Sequence, residues 1–434
     1  MVLFKKSAAI LAGFALLFET ACGSGGGGGG ASPVKPEEKP PEPVQLVMLQ
    51  DGATITDEEF DNFIAGPVHA KYPHITVTML RNTKGKDGLS NMIASGDFPD
   101  FMLTVYPSIK VFKELGTAYD LNDLIKKYNM DTGKFDPAAM QTSLVYGESD
   151  HLFAIPFSLN FLATFYNKDL FDRFGVGYPK EGMTWEQVIG LSKSFGKVME
   201  GVQYRGLGAI PSAGELNTQL TLPYVNKTTN KVEITTDGWK RIMQLIQSVN
   251  DVPGNKGAIL DHFLKDQTLA MVASYDARFA ALEKLHGTPN QFNWDVTQFP
   301  SQADRPNTSL TSSGHFLLVS SLSKQKEAAF QAIQVVTGEE VQKKTTASGR
   351  FTSLKDENIK ALYGKNMKSM EGKNIKAVFK SAFASPFTPT KYDALVTVRL
   401  NEAVKKVING ETDVNSALRE AEEAASKDIA AQPK

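Results

Sequence analysis

The side chains that could perform covalent or metal chemistry lack the spacing that catalytic motifs require. None of the six histidines forms a His-x-x-x-His or His-Glu-x-x-His pair, so no helical zinc site is predicted. The sequence has no Gly-x-Ser-x-Gly turn for a serine nucleophile and no Gly-x-x-x-x-Gly-Lys-Ser/Thr loop for a nucleotide phosphate. The histidines are His69, His74, His151, His262, His286 and His315.

Three weaker patterns also fall short of a functional motif. The segment Thr83–Gly88 is rich in Gly and Lys but lacks the hydroxyl that would hold magnesium, and we interpret it as a solvated loop. Adjacent carboxylates such as Glu58 and Glu59 occur, yet a glycosidase pair is defined by its separation in space. No Asp-x-Asp-x-Asp-Gly calcium loop is present, although calcium dependence stays open. The sequence therefore predicts no cofactor and no metal, and a secreted polysaccharide-processing enzyme remains an alternative.

The composition indicates a globular protein of two domains. The chain has 434 residues, 41% of them hydrophobic and 22% charged, which is long for one core at roughly 100–200 residues per domain. Its 47 Lys and Arg residues balance 48 Asp and Glu residues. Because no block of like charge could form a basic groove, nucleic acid is not an expected partner. The single cysteine, Cys22, excludes an intramolecular disulfide and a Cys-based zinc cluster.

The N-terminal residues predict export. Lys5 and Lys6 precede an apolar run, Ser7–Phe18, that is short for a membrane span but typical of a signal peptide, which we place at residues 1–21. Cys22 then resembles the lipidated cysteine of a bacterial lipobox, although Glu19 stands where that motif prefers leucine. Residues 22–44 are first Gly-rich and then Pro-rich, as expected of a tether. We expect an exported lipoprotein anchored to the outer face of the cell membrane; cleavage elsewhere, with loss of Cys22, is the alternative.

Beyond Val44 the pattern alternates between strands and helices, which indicates an α/β fold. Strands are predicted at Gln45–Leu49, Ile75–Leu80 and Phe101–Val105, with a helix over Asp57–Ala65. A second series begins with a strand at Leu162–Tyr166. It continues with helices predicted over Trp185–Val198 and Thr236–Val249, the second with an apolar face that includes Trp239.

Several motifs between and around these series resemble one family. They are Ala154-Ile-Pro-Phe157, Phe165-Tyr-Asn-Lys-Asp-Leu-Phe171, Thr184-Trp-Glu186, Ala94–Asp100 with its Gly-Asp-Phe-Pro-Asp ending, and Ser348-Gly-Arg-Phe-Thr352. In this order and spacing the chain, from Gln45 to Lys427, resembles the extracellular solute-binding proteins of ABC importers, in the maltose-binding-like, carbohydrate-associated branch (family 1).

This resemblance implies an α/β fold of two lobes with a cleft between them and several hinge crossings. It places residues 45–156 and 302–351 in lobe 1 and residues 157–301 and 352–434 in lobe 2. Pro156, Phe157 and Gly349 then fall at crossings, where a few residues absorb the backbone rotation of closure. The alternative is that Pro156 merely begins a strand and that Gly349 caps a helix.

The resemblance also implies a ligand site in the cleft, at strand ends and crossings. Carboxylate, amide and guanidinium groups there would pair with sugar hydroxyls, and aromatic faces would cover the apolar side of a pyranose. Each candidate has a structural alternative, as a turn residue, a helix cap or a solvated charge. The candidates are Asp51, Arg81 and Tyr106 in lobe 1, Asn160 at the crossing, and Tyr224, Tyr275, Asp276, Arg278 and Tyr392 in lobe 2.

The tryptophans depart from the family pattern. Sugar-binding members commonly stack a tryptophan near the positions of Tyr275 and Tyr392, whereas Trp185, Trp239 and Trp294 lie where structural roles are expected. This weakens the case for an oligosaccharide, and a monosaccharide, a sugar acid or a non-sugar solute such as a peptide stays open. The implied function is a monomeric, membrane-tethered receptor that binds a small solute, with a sugar or oligosaccharide as the expected class, and delivers it to ABC permease subunits. A ligand-sensing partner of a membrane kinase would have the same sequence features.

Overall fold

The computed structural model describes residues 41–147 and 150–432. Contacts group Glu42–Lys434 into one compact unit, and every element named below belongs to it. The signal peptide predicted over residues 1–21, the lipidation predicted at Cys22 and the tether up to residue 40 lie outside the described residues.

The strands form two main sheets. The strands are β1 Val44–Asp51, β2 Ile75–Arg81, β3 Phe101–Val105, β4 Ile155–Asn160, β5 Leu162–Asn167, β6 Val198–Met199, β7 Val202–Gln203, β8 Arg205–Gly208, β9 Leu269–Tyr275, β10 Trp294–Gln298, β11 Thr308–Thr311, β12 Ser313–Val319 and β13 Ala382–Ala384. One main sheet has five strands in the order β2-β1-β3-β12-β4, and the other has four in the order β10-β5-β9-β8, while β11 pairs with β13 and β6 with β7.

Helices cover both main sheets. A π-helical turn, Asp61–Ala65, lies between the first two α-helices of the chain. Short 3-10 helices lie at Thr132–Lys134, Asn217–Leu220 and Lys368–Met370. The α-helices are α1 Asp57–Phe60, α2 Gly66–Lys71, α3 Gly85–Ser95, α4 Tyr106–Glu114, α5 Asn122–Lys127, α6 Pro137–Gly147, α7 Lys168–Phe174, α8 Trp185–Ser192, α9 Ala213–Leu216, α10 Asp237–Asp251, α11 Asp261–Leu264, α12 Ala277–Leu285, α13 Lys326–Val336, α14 Glu339–Ala347, α15 Glu357–Lys360, α16 Ile375–Val378, α17 Asp393–Ile408 and α18 Val414–Ala430.

The five-stranded sheet is the centre of the first lobe. β1 runs parallel to β2 and β3, with Met48 opposite both Met79 and Phe101. β12 returns antiparallel between β3 and β4. Since helices cover both faces, β1 is apolar on both sides, and Leu46 and Leu49 are both fully buried.

The four-stranded sheet is the centre of the second lobe. β5 lies between the antiparallel strands β10 and β9, and β8 adds in parallel to β9. α10 buries the face that contains Trp239, Ile242, Met243 and Ile246, as its spacing predicts. The fold is thus the expected α/β arrangement of two sheet-centred lobes.

Local signals explain where several helices begin and end. Thr184 caps α8, and its side chain and that of Gln187 exchange hydrogen bonds with each other's backbone N–H groups. α8 ends at Ser192, before the predicted end at Val198, because Val198 already belongs to β6. The three tryptophans are all buried, Trp185 and Trp239 in the core of the second lobe and Trp294 in the junction core, as a structural role requires.

Separate apolar cores fill the lobes, and a further core joins them. Leu46 and Phe101 belong to a core of the first lobe and Trp239 to that of the second. The junction core includes Leu159 from β4 and Phe161, together with aromatic residues from the C-terminal part of the chain. Among the described residues no helix has the length and apolar character needed to cross a bilayer.

Candidate functional site

Three segments carry the chain between the two main sheets. Phe161 alone separates β4 from β5, β11 lies between β10 and β12, and Gly349–Ser353 follows α14. The backbone N–H of Leu159 donates to the carbonyl oxygen of Phe351 at an N···O distance of 2.9 Å. The first and last of these crossings are therefore hydrogen-bonded to each other.

Gln342 on α14 holds these two crossings together. It is fully buried, and its Nε2 donates to the carbonyl oxygen of Phe157 at 2.9 Å. Its Oε1 accepts from Thr352 Oγ1 at 2.7 Å and from the backbone N–H of Ser353 at 3.1 Å. One amide side chain thus joins β4 to the last crossing, which makes their separation costly.

The structure places the predicted hinge residues as follows. Pro156 and Phe157 lie inside β4, where they belong to the first sheet, so the chain leaves that sheet at Phe161 rather than at Ile155–Phe157. Gly349 has φ +91°, and a Cβ there would lie 2.5 Å from Sδ of Met367. Glycine is therefore needed at this crossing for both its backbone conformation and its lack of a side chain.

Helix α4 of the first lobe faces polar groups of the second. Lys110 Nζ donates to the carbonyl oxygen of Pro389, just before α17, at 3.5 Å. Tyr106, the first residue of α4, packs edge-on against Tyr146 of α6 with 4.8 Å between ring centroids. Burial, and after it the negative charge of Glu215 in the second lobe, raises the pKa of Tyr106 to about 12.

Tyr275 completes this group from the end of β9. Its hydroxyl donates to Oε1 of Glu215 at 2.9 Å, while Oε2 of Glu215 accepts from the backbone N–H of Ser212 at 2.9 Å. The pKa of Tyr275 is raised, mainly by burial and to a smaller extent by the charge of Glu215. We call Tyr106, Tyr146, Glu215 and Tyr275 the tyrosine site; it combines aromatic faces, hydroxyls and one carboxylate.

A second polar group surrounds Arg350 at the last crossing. The Arg350 guanidinium forms a salt bridge with Glu59 of α1, with 2.8 Å between Nη2 and Oε1, and its Nη1 donates to Nδ1 of His315 at 2.7 Å. On the side of the second lobe, the positive charge of Arg350 acts on Asp276. We call Arg350, Glu59, His315 and Asp276 the arginine site.

Burial sets the protonation of this site. It raises the pKa of Asp276 to about 7, against the opposing charges of Arg350 and Arg278. It lowers the pKa of His315 to about 3, and Arg350 adds to that shift. His315 is therefore neutral, and the single lone pair of its Nδ1 accepts from Arg350. The Ser158 hydroxyl oxygen lies 3.1 Å from the same nitrogen.

Of the other predicted contacts in the first lobe, Asp51 and Arg81 have partners within the lobe. Asp51 ends β1 and accepts a hydrogen bond from Asn82 Nδ2 at 2.6 Å. Arg81 forms a salt bridge with Asp57 at 2.7 Å, with 42% of the Arg81 side chain and 82% of the Asp57 side chain exposed. Asn160 is the last residue of β4, opposite Ser313 of β12.

The remaining predicted contacts lie in the second lobe. Tyr224 is buried, and its hydroxyl donates to the carbonyl oxygen of Gly214 at 3.0 Å. Tyr392 is the N-cap residue of α17. Arg278, on α12, is half-buried, and its Nε has no hydrogen-bond partner among the described residues. Burial lowers its pKa, with the charge of Asp276 opposing that shift.

The structure adds residues that the sequence analysis did not select as contacts. Lys110, Tyr146 and Glu215 join Tyr106 and Tyr275 across the lobes, and His315 and Glu59 join Arg350. Glu215 could have been found from the Ser-x-x-Glu capping pattern at Ser212–Glu215. This pattern predicts that a helix begins here, soon after a strand. Tyr146 and Lys110 belong to helical segments, and no motif in the sequence around them predicts a site residue.

The described residues contain no group of three or more His, Cys, Asp or Glu side chains able to hold a metal ion. The tyrosine site and the arginine site provide hydrogen-bonding groups and aromatic surface where the two lobes meet. They define a class of protein: a two-lobed α/β binding protein with its site between the lobes.

The family follows from the sequence. The profile of the bacterial extracellular solute-binding proteins matches residues 52–343, and the chain belongs to that family. Since the family is extracellular, the protein is exported and binds a solute outside the cytoplasm. The chain is thus a solute-binding protein, as its motifs predict.

Solved structures of similar fold support the same architecture. An ABC substrate-binding protein of Listeria monocytogenes, in complex with cycloalternan, has a TM-score of 0.72 at 20% identity, with 90% of this chain and 100% of that chain covered. A sugar transporter of Rhizobium etli, in an open conformation, has a TM-score of 0.70 at 18% identity, with coverages of 88% and 99%. The sugar-binding protein MalE of Xanthomonas citri has a TM-score of 0.67 at 16% identity, with coverages of 90% and 100%.

Proposed function

We propose that the protein binds a sugar or oligosaccharide between its lobes and delivers it to an ABC permease. The observation that supports this most directly is the tyrosine site, in which the Tyr275 hydroxyl of the second lobe donates to Glu215, and the charge of Glu215 adds to the raised pKa of Tyr106 in the first lobe. A ligand held there contacts both lobes at once, so binding favours the closed arrangement.

The chemistry of the site suits a neutral carbohydrate. Tyrosine rings cover the C–H faces of a pyranose, and the carboxylates of Glu215 and Asp276 accept hydrogen bonds from its hydroxyls. Both carboxylates lie in the second lobe. The similar proteins of Listeria monocytogenes and Xanthomonas citri are described as a complex with cycloalternan and as a sugar-binding protein, which favours a saccharide over a peptide.

A thermal-shift screen of the purified protein against mono- and oligosaccharides tests the proposal, with amino acids and short peptides as controls. Isothermal titration then measures the affinity of each hit. Tyr275→Ala should weaken sugar binding at least tenfold, because it removes an aromatic face and the hydroxyl that orients Glu215. A screen in which only peptides or amino acids raise the melting temperature would contradict the sugar assignment.

Tyr178→Ala is the matched control for this substitution. Tyr178 is an exposed tyrosine of the second lobe whose hydroxyl donates to Asp172 at 2.6 Å, away from the lobe junction. It should leave sugar affinity unchanged. Equal effects of the two variants would show that the loss at Tyr275 is a general effect on the fold.

We assign the remaining predicted contacts to the same ligand. Asp51, Arg81 and Asn160 from the first lobe, and Tyr224, Asp276, Arg278 and Tyr392 from the second, are proposed to face the solute in one stage of closure. Arg278 would also pair with a carboxylate if the solute were a sugar acid. Comparing a neutral hexose with its uronic acid, in wild type and Arg278→Gln, separates these two solutes.

The proposed receptor performs no covalent step. We propose lobes of residues 45–156 with 302–351 and residues 157–301 with 352–434, although β4 keeps residues 157–160 in the first sheet. Pro156, Phe157 and Gly349 are proposed to lie at or beside the segments that rotate. Chromatography of an oligosaccharide after incubation with the protein tests this, since a receptor returns the sugar intact. Appearance of shorter sugars would favour the polysaccharide-processing alternative.

We also propose that the protein acts as a monomer attached to the outer face of the membrane through a lipid on Cys22. The Gly- and Pro-rich residues 22–44 would lift the lobes toward the permease. Metabolic labelling with an alkyne fatty acid should mark the wild type and leave Cys22→Ser unlabelled. Equal labelling of both would rule out this attachment site.

A further inference from the structure

A cavity of about 380 Å³ lies where the three crossings meet. Each crossing contributes one lining residue: Phe161, Ser309 and Phe351. The start of α6 forms one wall and the segment around β13 forms another. None of the residues of the tyrosine or arginine site lines this cavity, which we call the crossing cavity.

Aromatic rings dominate its lining. Phe351 and Phe379 stack with 4.7 Å between centroids and 11° between planes. Phe161 meets both edge-on, at 5.4 Å and 5.2 Å. Val378 and Phe383 extend this apolar surface. Such a surface favours a flat aromatic molecule, which can add to the stack or meet a ring edge.

One buried polar group in the lining has no partner. Ser309 is only 3% exposed, and its Oγ makes no hydrogen bond among the described residues. A buried hydroxyl without a partner carries a free-energy cost that a ligand group could remove. At the rim, Lys360 lies 3.8 Å from Asp136 and 3.0 Å from Glu357, so the nearby charges already have partners of opposite sign.

We propose that the crossing cavity is a second binding site, for a small neutral aromatic molecule with one hydroxyl group. Its volume lies within the range of small-molecule sites, roughly 300–1,000 Å³. The aromatic lining packs against the ring, and Ser309 forms a hydrogen bond with the hydroxyl group. The charged side chains at the rim are already paired with each other, so they give no preference for an ionic ligand.

Binding in the crossing cavity is coupled to the cleft. α6 lines the cavity with Pro137 and carries Tyr146, nine residues further on, against Tyr106; at about 1.5 Å per residue these ends lie roughly 13 Å apart. The cavity is present while Lys110 contacts Pro389 across the lobes. Because all three crossings line the cavity, we infer that it changes shape when the lobes separate. A molecule that fits its present shape then favours this arrangement and, by linkage, raises affinity for the cleft solute; this step alone rests on the proposed function.

Isothermal titration of the full chain with 2-naphthol, with naphthalene as comparison, tests the site without any sugar. We expect saturable 2-naphthol binding at one site per chain, weaker binding of naphthalene, and about fivefold weaker 2-naphthol binding in Ser309→Ala. Absence of saturable 2-naphthol binding, or equal affinities in wild type and Ser309→Ala, would overturn the proposal.

Two substitutions that fill the cavity test its location. Ala382→Trp and Ala138→Trp introduce an indole from opposite walls and should abolish 2-naphthol binding, while Ala430→Trp, on the exposed end of α18, should not. Circular dichroism checks that each variant is folded, and two variants guard against failure of one. Undiminished binding in a folded cavity variant would place 2-naphthol elsewhere.

Coupling has two readouts that separate its failure from that of the sugar assignment. Saturating 2-naphthol should raise the affinity for a sugar hit about fivefold, and should reduce the radius of gyration in X-ray scattering even without sugar. Unchanged or weaker sugar affinity would refute the coupling. If no sugar binds, the scattering result decides: an unchanged or larger radius refutes the coupling while leaving the titration of the cavity intact.

Discussion

Nη1 of Arg350 lies 2.7 Å from Nδ1 of His315, and this hydrogen bond joins the last crossing to β12 of the first sheet. A protonated imidazole has no lone pair at Nδ1, so the bond exists only while His315 is neutral. The same guanidinium forms the salt bridge with Glu59 of α1. The attachment of this crossing to the first lobe therefore depends on pH.

His315 should make the protein less stable in acid. Its pKa is about 3 in the folded protein and 6.5 ordinarily. The stability that neutral His315 gives to the folded protein is therefore complete above pH 6.5, and it is lost progressively as pH falls toward 3. Between pH 7 and pH 4 the wild type should lose about 3 kcal/mol more unfolding free energy than His315→Gln, whose amide keeps an acceptor for Arg350. Urea unfolding at each pH measures this, and parallel curves would contradict it.

Asp276 should have the opposite pH dependence. Its pKa is about 7 in the folded protein against 3.8 ordinarily, so the stability it contributes is present below pH 3.8 and is lost as pH rises through 7. Relative to the wild type, Asp276→Asn should therefore gain about 4 kcal/mol between pH 4 and pH 8. Asp237→Asn, at a side chain 98% exposed, is the control and should show no such gain.

Gly349→Ala should destabilise the last crossing by about 2 kcal/mol, since it combines the strain of φ +91° with contact between the new Cβ and Met367. Gly287→Ala is matched to it, because Gly287 has φ +73° and a Cβ there would meet no atom within 4 Å. The difference between the two variants measures the contact alone. If both lose the same stability in thermal unfolding, Met367 moves aside freely.

Gln342→Ala should cost about 3 kcal/mol, because it leaves the carbonyl oxygen of Phe157 and the hydroxyl of Thr352 without their buried partner. Gln334→Ala, which removes one hydrogen bond to the carbonyl oxygen of Tyr128 at 3.2 Å, should cost about 1 kcal/mol. Denaturant unfolding compares them. Equal losses would mean that Gln342 is not the tie between the crossings.

The strands and helices were predictable where a local pattern specifies them. β3 has its predicted bounds, and the buried face of α10 follows from its 3.6-residue period. The end of α8 was not predictable, since its apolar pattern continues to Val198 while the chain turns into a hairpin. Pro156 and Phe157 were expected at a crossing, and only pairing with β12 shows that β4 extends to Asn160.

The candidate site was predictable only in part, because local patterns specify some of its residues and tertiary contacts bring the others to it. Strand-end positions select Tyr106, Tyr275 and Asp276, because strand ends share one edge of a sheet. Glu215 and Tyr146 reach them from helices far away in the sequence, and no local pattern encodes that approach. The orientation of two lobes depends on tertiary contacts such as that of Lys110 with Pro389, which sequence periodicity does not specify.

Lys110→Met should shift the lobes toward an open arrangement. The ammonium group of Lys110 contacts the carbonyl oxygen of Pro389 across the lobes, and its side chain is only 12% exposed, so methionine keeps most of its volume but none of its charge. The radius of gyration should rise, and solute affinity should fall about threefold, as expected when one weak cross-lobe hydrogen bond is lost. The variant also loses the salt bridge of Lys110 with Glu114, 3.9 Å away on α4 itself. Lys113→Met, on the same helix, loses instead a hydrogen bond to Gly147 within the first lobe and should leave both quantities unchanged. If the two variants behave alike, α4 contributes to stability rather than to closure.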